Sequence, residues 1–94
     1  MDINIKHQQT DNKGVFLVDN SGETLAKMTY SKAGDKMMII DHTEVSDKLR
    51  GMGVGKKMLE AAVAFARQQK VKILPLCPFA KSVFDKTPVF NDVL

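Results

Sequence analysis

A cluster of glycines and basic residues between positions 50 and 57 has the composition of an anion-binding turn. The glycines are Gly51, Gly53 and Gly55, and the basic residues are Arg50, Lys56 and Lys57. Glycine lets the backbone adopt unusual dihedral angles and approach a ligand closely. The first N–H groups of a helix lack internal partners and lie at the positive end of the helix dipole. A helix that begins in this cluster would therefore favour a phosphate group.

The spacing of the glycines excludes three common nucleotide-binding and RNA-binding motifs. A P-loop, G-x-x-x-x-G-K-[ST], fails because no glycine precedes Gly55 at the required distance and Lys57 stands at the Ser/Thr position. A dinucleotide fingerprint, G-x-G-x-x-G, fails because its third glycine would fall on Lys56. The G-x-x-G loop of a KH domain starts at neither Gly51 nor Gly53.

The single cysteine, Cys77, is the candidate nucleophile of the chain. A lone cysteine excludes an internal disulfide and a cysteine-based zinc site, and no residues have the spacing of metal ligands. A thiolate can attack a thioester. A free thiol has a pKa of ~8.5, so only a small fraction is ionised at neutral pH unless its surroundings lower that pKa. The alternative role for Cys77 is that of a small buried apolar residue.

The elements that must position these groups begin with an antiparallel meander. Apolar patterns predict strands over residues 3–7, 15–18, 23–30 and 37–45. Turn-forming residues at 19–22 and 33–35 separate the last three of these strands.

The second half of the chain predicts a parallel crossover. Helical spacing of apolar residues runs from Gly53 to Gln69, and a fifth strand follows over residues 71–76. Pro75 cannot donate a backbone hydrogen bond, so this strand lies at an edge or separates from its neighbour there. Residues 79–86 predict a short C-terminal helix, and residues 89–94 stay unassigned. The predicted fold is a mixed α/β (α+β) sheet in one domain spanning residues 1–94.

The segment from Arg50 to Gly55 matches R-x-x-G-x-G between a strand ending at Val45 and an amphipathic helix. It resembles motif A of the GNAT superfamily of acyl-CoA-dependent N-acetyltransferases. The resemblance implies a minimal GNAT-like fold that binds acetyl-CoA, with Val45 beside the pantetheine arm. The implied pyrophosphate-binding residues are Arg50, Gly51, Met52, Gly53, Val54, Gly55 and Lys56. The alternative is a glycine-rich loop that only closes a tight turn.

A second resemblance concerns the segment from Leu74 to Phe79, which is similar to a subfamily of very small GNAT-like proteins (YjdJ-like) with a cysteine at this place. It implies that Cys77 lies near the acetyl group, where the fourth and fifth strands separate. From that position, attack of its thiolate on the thioester would give an acetyl-cysteine intermediate. His42, on the adjacent strand, is the candidate helper of the thiol, and Glu44 is the candidate base for an amine. The alternatives are a hydrogen-bonded strand histidine and a solvated carboxylate.

Two departures from the GNAT pattern affect the expected acceptor. Many members have a tyrosine after the fifth strand as general acid, whereas this chain has Phe79 and Phe84 there, and its only tyrosine, Tyr30, is predicted to be structural. The residues between the first two strands are too few for the usual helices. Without these helices the acceptor site should be shallow. We therefore expect the acceptor to be an amine on a macromolecule, such as a protein or peptide.

Composition limits the remaining function classes. The chain has 94 residues, a net charge of +3, 44% hydrophobic residues and 27% charged residues, as in a small globular domain. No apolar run would span a membrane, and residues 1–5 do not resemble a signal peptide, so we expect a cytoplasmic protein without a membrane partner.

The predicted function is an N-acetyltransferase. The alternative is a non-catalytic acyl-CoA-binding or sensing module. A nucleic-acid-binding domain ranks third, because the charge excess is small and the aromatic residues, five Phe and one Tyr, lie mostly in core-like positions.

Overall fold

The structure, a computed structural model, describes residues 3–94 and contains one five-stranded sheet. The strands are β1 (Lys6–Gln9), β2 (Lys13–Asn20), β3 (Glu23–Ala33), β4 (Met37–Val45) and β5 (Lys72–Pro75). They lie in sequence order across the sheet; the first four pair antiparallel, and β5 pairs parallel to β4. The predicted meander and parallel crossover are therefore confirmed. Met1 and Asp2, on which the signal-peptide argument partly depends, lie outside the described residues.

Two α-helices complete the fold in residues 3–94. They are α1 (Val54–Gln69) and α2 (Pro78–Lys86), and short 3-10 turns cover Asp47–Leu49 and Pro88–Val93. The second of these turns occupies most of the segment that the sequence left unassigned. Arg67 of α1 holds it by donating to Asp92 at 2.8 and 2.9 Å and to the Val89 carbonyl at 2.8 Å. In the described part of the chain, neither α-helix is long and apolar enough to cross a membrane.

One buried core lies between the helices and a single face of the sheet. The core residues of α1 follow the predicted apolar face and include Met58, Leu59, Ala62 and Ala66, each fully buried. Alternate residues of the strands point toward them, because successive strand side chains face opposite sides of a sheet. Buried examples are Met28 on β3 and Ile40 on β4, both with no exposed surface.

Tyr30 is a structural residue, as the sequence predicted. Its side chain is 1% exposed, and its hydroxyl lies 2.6 Å from Nε2 of His7 on β1. The ring passes directly beneath Gly14 of β2, where any Cβ atom would overlap the ring atoms of Tyr30. Glycine at position 14 is therefore required by packing.

Candidate functional site

The turn before α1 is open to solvent at the two glycines where a ligand could approach the backbone. Gly51 has φ of +81° and Gly53, the N-cap of α1, has φ of +66°, in the left-handed region that side chains other than glycine rarely adopt. A Cβ atom placed at either residue would meet no other atom within 4 Å. The two glycines therefore allow the left-handed backbone of the turn, and the absence of side chains leaves the backbone open to a ligand.

The same turn presents unpaired backbone donors. The first helical hydrogen bond runs from the N–H of Lys57 to the carbonyl of Gly53 at 3.1 Å. In the described residues, no acceptor pairs with the preceding N–H groups, those of Val54, Gly55 and Lys56, and no side chain caps the helix.

Charge at this helix start is positive. The first turn of α1 contains no acidic residue and contributes the exposed Lys56 and Lys57. Arg50 pairs with Asp47 at 3.3 Å, but both side chains are more than four-fifths exposed. Such an exposed pair is weak, so the guanidinium is free to turn to an anion. The donor set and charge fit a phosphate or pyrophosphate group.

Gly55 differs from the other two glycines because it is buried against α2. A Cβ atom at position 55 would lie 2.5 Å from Cζ of Phe79, which is shorter than a normal van der Waals contact. Its backbone N–H still belongs to the unpaired set, but its missing side chain makes room for Phe79. The helix start and the first turn of α2 are therefore in direct contact.

The edge strand β5 separates from β4 at Pro75, the residue that cannot donate a backbone hydrogen bond. Pairing of β4 with β5 ends at Ile40 opposite Pro75. The carbonyl of Ile40 then accepts two bonds, from the N–H groups of Leu76 at 3.1 Å and Cys77 at 3.2 Å. From residue 41 to Val45, β4 has no strand partner on the β5 side among the described residues. We call this unpaired edge of β4, from residue 41 to Val45, the gap; Cys77 lies beside it, and the glycine turn follows its far end in the sequence.

Cys77 lies at the head of this gap, as the N-cap of α2, and is 6% exposed. Its Sγ lies 3.4 Å from Oγ1 of Thr43 on β4. Burial tends to raise the pKa of the thiol, but the Thr43 hydroxyl and the N–H groups of Ala80 and Phe79 outweigh burial and lower it. Neither amide makes a capping hydrogen bond of standard geometry, so these amides act as nearby dipoles at the helix start.

The structure does not bring His42 to Cys77. His42 pairs with Thr29 of β3, whereas the next residue, Thr43, pairs with the buried Met28. Neighbouring strand residues face opposite sides, so Thr43 points to the core side, where Cys77 lies, and His42 points to the outer side. An extra residue in β4 at position 41 forms a bulge beside this point.

Glu44 also lies on the outer side, exposed, with its carboxylate 3.7 Å from Nζ of Lys27. Val45 pairs with Ala26, is 40% exposed and ends β4 beside the gap. The sequence indicated His42 by its imidazole and its place on the adjacent strand, and it gave no comparable chemical signal for Thr43. Strand alternation in the sequence shows that residues 42 and 43 face opposite ways, but the tertiary structure is needed to show which one meets Cys77.

Residues 15–93 match the sequence profile described as GCN5-related N-acetyl-transferase. The solution structure of a GCN5-like protein from Staphylococcus aureus is 42% identical, covers 96% of this chain and 87% of that chain, and superposes with a TM-score of 0.74. A GNAT family acetyltransferase from Elizabethkingia anophelis, solved with acetyl-CoA bound, is similar in fold alone. It is 12% identical with a TM-score of 0.64 and covers 78% of this chain and 63% of that chain.

Curated relatives are more distant and longer. Protein NATD1 of Xenopus tropicalis is 30% identical over 64 residues, which are 68% of this chain and 59% of the relative. The human protein of the same name is 28% identical over 64 residues, with coverage of 68% and 57%. The chain thus spans less than two thirds of the curated relatives that it matches. Because the family profile extends over most of its length, the chain belongs to the GCN5-related N-acetyltransferase family.

Proposed function

We propose that the protein transfers an acetyl group from acetyl-CoA to an amine, with Cys77 as a transient acetyl carrier. One observation carries the proposal. The first turn of α2, which Cys77 caps, packs at Phe79 against Gly55, so the thiol and the unpaired donors at the start of α1 belong to two helix starts in contact, beside the unpaired edge of β4. An acyl-CoA has a phosphate-rich end and a reactive thioester at opposite ends of an extended arm, so one molecule could meet both groups.

The residues beside the gap fit acetyl-CoA as a substrate. The pyrophosphate would take the N–H groups at the start of α1, which meet no other acceptor in the described residues, together with the charges of Arg50 and Lys56. The pantetheine arm carries amide groups, and the unpaired edge of β4 up to Val45 offers backbone partners for them. The partly exposed Val45 and Phe79 supply apolar surface near this path.

The chemistry takes two acyl-transfer steps. In the first, the Cys77 thiolate attacks the acetyl carbonyl carbon, the new C–S bond to Cys77 forms, and the C–S bond to coenzyme A breaks. The coenzyme A thiolate leaves with the electron pair and takes a proton from solvent. In the second, the amine nitrogen attacks acetyl-Cys77, the C–N bond forms, and Cys77 leaves as the thiolate. Stabilising a thiolate helps both steps, because Cys77 is the nucleophile in one and the leaving group in the other.

The amine must lose a proton as it attacks, and the Cys77 thiolate that leaves in the same step can take it. Glu44, the base expected from the sequence, is exposed on the outer face of the sheet, as is His42, so neither lies on the side of β4 that Thr43 shares with Cys77. In the described residues, the core that α1 and α2 form with Met38 and Ile40 lies on the other face of the sheet, away from Glu44 and His42. Only residues 10–12 join β1 to β2, so the connection contains no helix. An open face of this kind favours an amine on a protein or peptide over a small molecule that needs an enclosing pocket.

Mass spectrometry of the protein with acetyl-CoA tests the proposal. We expect a non-covalent complex under native conditions and one added acetyl group that survives denaturation. Cys77→Ala should keep the complex and lose the acetyl group. A complex without any covalent acetyl group in the wild type would refute Cys77 as the carrier.

The binding site is tested by Gly53→Glu, which places a carboxylate before the phosphate donors. Because like charges repel at close range, affinity for acetyl-CoA should fall by more than about tenfold. Gly34→Glu is the matched control: Gly34 has the same φ of +66° and the same open space, but it lies in the turn before β4, at the other end of that strand from Val45. Equal affinity in folded Gly53→Glu and Gly34→Glu proteins would remove the site from the glycine turn.

The second candidate is an acyl-CoA-binding module without turnover. Two features favour it: Cys77 is only 6% exposed, and Phe79 stands where a general acid would be expected. This candidate predicts the same native complex and the same loss in Gly53→Glu, but no acetyl-cysteine and no acetylated amine in a mixture of peptides with free lysines.

A further inference from the structure

We propose that Thr43 is a positioning residue for Cys77, whose hydroxyl fixes the sulfur at the head of the gap and donates a hydrogen bond to its thiolate form. This inference deepens the proposed function and rests on Cys77 as the acetyl carrier. The contact that carries it is the 3.4 Å separation between Thr43 Oγ1 and Cys77 Sγ, which joins β4 to the start of α2 beyond the point where β4 and β5 stop pairing.

Thr43 is held in an orientation that suits this role. It pairs with Met28, which has no exposed surface, so its side chain faces the core side of β4. Threonine is branched at Cβ, and this restricts the χ1 angle that directs its hydroxyl. A hydroxyl can rotate its proton, so it accepts from a thiol and donates to a thiolate without moving its oxygen.

Cys77 is held from its backbone as well. Its N–H donates to the Ile40 carbonyl at 3.2 Å, and its carbonyl accepts from the N–H of Lys81 at 3.0 Å. The backbone and the Thr43 hydroxyl together leave the sulfur little freedom to move. A fixed sulfur can stay within reach of a thioester carbonyl that lies in the gap.

Thr43 is the only side chain among those described that lowers the pKa of Cys77. The other influences that lower it are backbone N–H groups, those of Ala80, Phe79 and Thr43 itself. Four ionisable side chains lie close to Thr43 or Cys77 in the sequence, and each is exposed or bonded to another residue: Asp41, His42, Glu44 and Lys81. Replacement of the hydroxyl should therefore move the thiol titration without disturbing an ion pair.

The experiment titrates the thiolate by its far-ultraviolet absorbance in the wild type, Thr43→Val and Thr43→Ser. The chain has one cysteine and one tyrosine, and burial raises the pKa of Tyr30, so the two signals separate. We expect Thr43→Val to raise the pKa of Cys77 by about one unit, an approximately tenfold loss of thiolate near neutral pH, and Thr43→Ser to restore it. Thr24→Val, on the exposed start of β3, is the matched control and should titrate like the wild type.

Acetylation of Cys77 by acetyl-CoA provides the second measurement. In Thr43→Val the rate should fall by about the same factor at neutral pH and approach the wild-type rate at high pH, where both thiols are ionised. A purely structural role would lower the rate by one factor at every pH. A folded Thr43→Val protein that titrates like the wild type would overturn the inference. A shifted titration with no acetyl-cysteine in any variant would support Thr43 but refute the carrier step.

Discussion

Replacing Gly55 with alanine tests whether the start of α1 and the first turn of α2 are packed as closely as the structure indicates. Alanine in a helix is more favourable than glycine by at most about 1 kcal/mol, so on propensity alone the change should stabilise the protein. The new Cβ atom, however, would lie 2.5 Å from Cζ and 2.9 Å from Cε2 of Phe79. The ring must therefore move outward.

The cost of moving the ring follows from its burial. Burial of a whole phenylalanine side chain stabilises a folded protein by about 1.5–3 kcal/mol. Because Phe79 is 38% exposed, its burial contributes about 1–2 kcal/mol to the free energy of unfolding. The loss offsets the gain in propensity, so Gly55→Ala should leave the free energy of unfolding unchanged or lower it by about 1 kcal/mol. In a Phe79→Ala background the same change should stabilise by up to about 1 kcal/mol.

A double-mutant cycle measured by urea unfolding compares these values. The four proteins are the wild type, Gly55→Ala, Phe79→Ala and the double variant, and we expect a coupling of about 1–2 kcal/mol between the two positions. Stabilisation by Gly55→Ala to the same extent in both backgrounds would show that the ring does not occupy the space above Gly55. The assignment of Gly55 as a packing glycine would then be wrong.

Two further predictions concern the region around His7. Gly14→Ala should lower the free energy of unfolding by about 2–4 kcal/mol in urea titrations, because the buried Tyr30 ring must shift and its hydrogen bond to His7 is strained. A loss below about 0.5 kcal/mol would contradict the close packing of Gly14 on Tyr30. Burial, with a smaller contribution from Lys32, lowers the pKa of His7 in the folded protein. As the pH drops below 6.5, the unfolded chain therefore takes up a proton at His7 before the folded protein does, and the free energy of unfolding should fall. His7→Gln should lose less stability between neutral pH and pH ~5 than the wild type, as measured by thermal unfolding; an equal loss in both would contradict the assignment.

The sequence predicted most of the fold because its signals are local. Alternating residues, continuous apolar runs and turn residues located the strands of the meander, and helical spacing from Gly53 to Gln69 located α1 nearly to the residue. Boundaries shifted where pairing decides them. Strand β1 begins at Lys6, because its pairing with β2 starts there, opposite Leu17, and β5 ends at Pro75, where the pairing with β4 stops. The C-terminal turn escaped prediction because Arg67, far away in the sequence, holds it.

The amino-acid sequence already contains the chemistry available at the site: a glycine turn before a helix, positive charge around it and a single thiol after the fifth strand. Each depends on residue type and short-range spacing, which the chain carries before it folds. The neighbours that these groups meet depend on the folded structure. Strand alternation and the separation of β4 from β5 place Thr43 against Cys77 and His42 on the other face. The contact between two helices makes Gly55 a packing residue, because distances between elements depend on how the whole sheet and its helices pack.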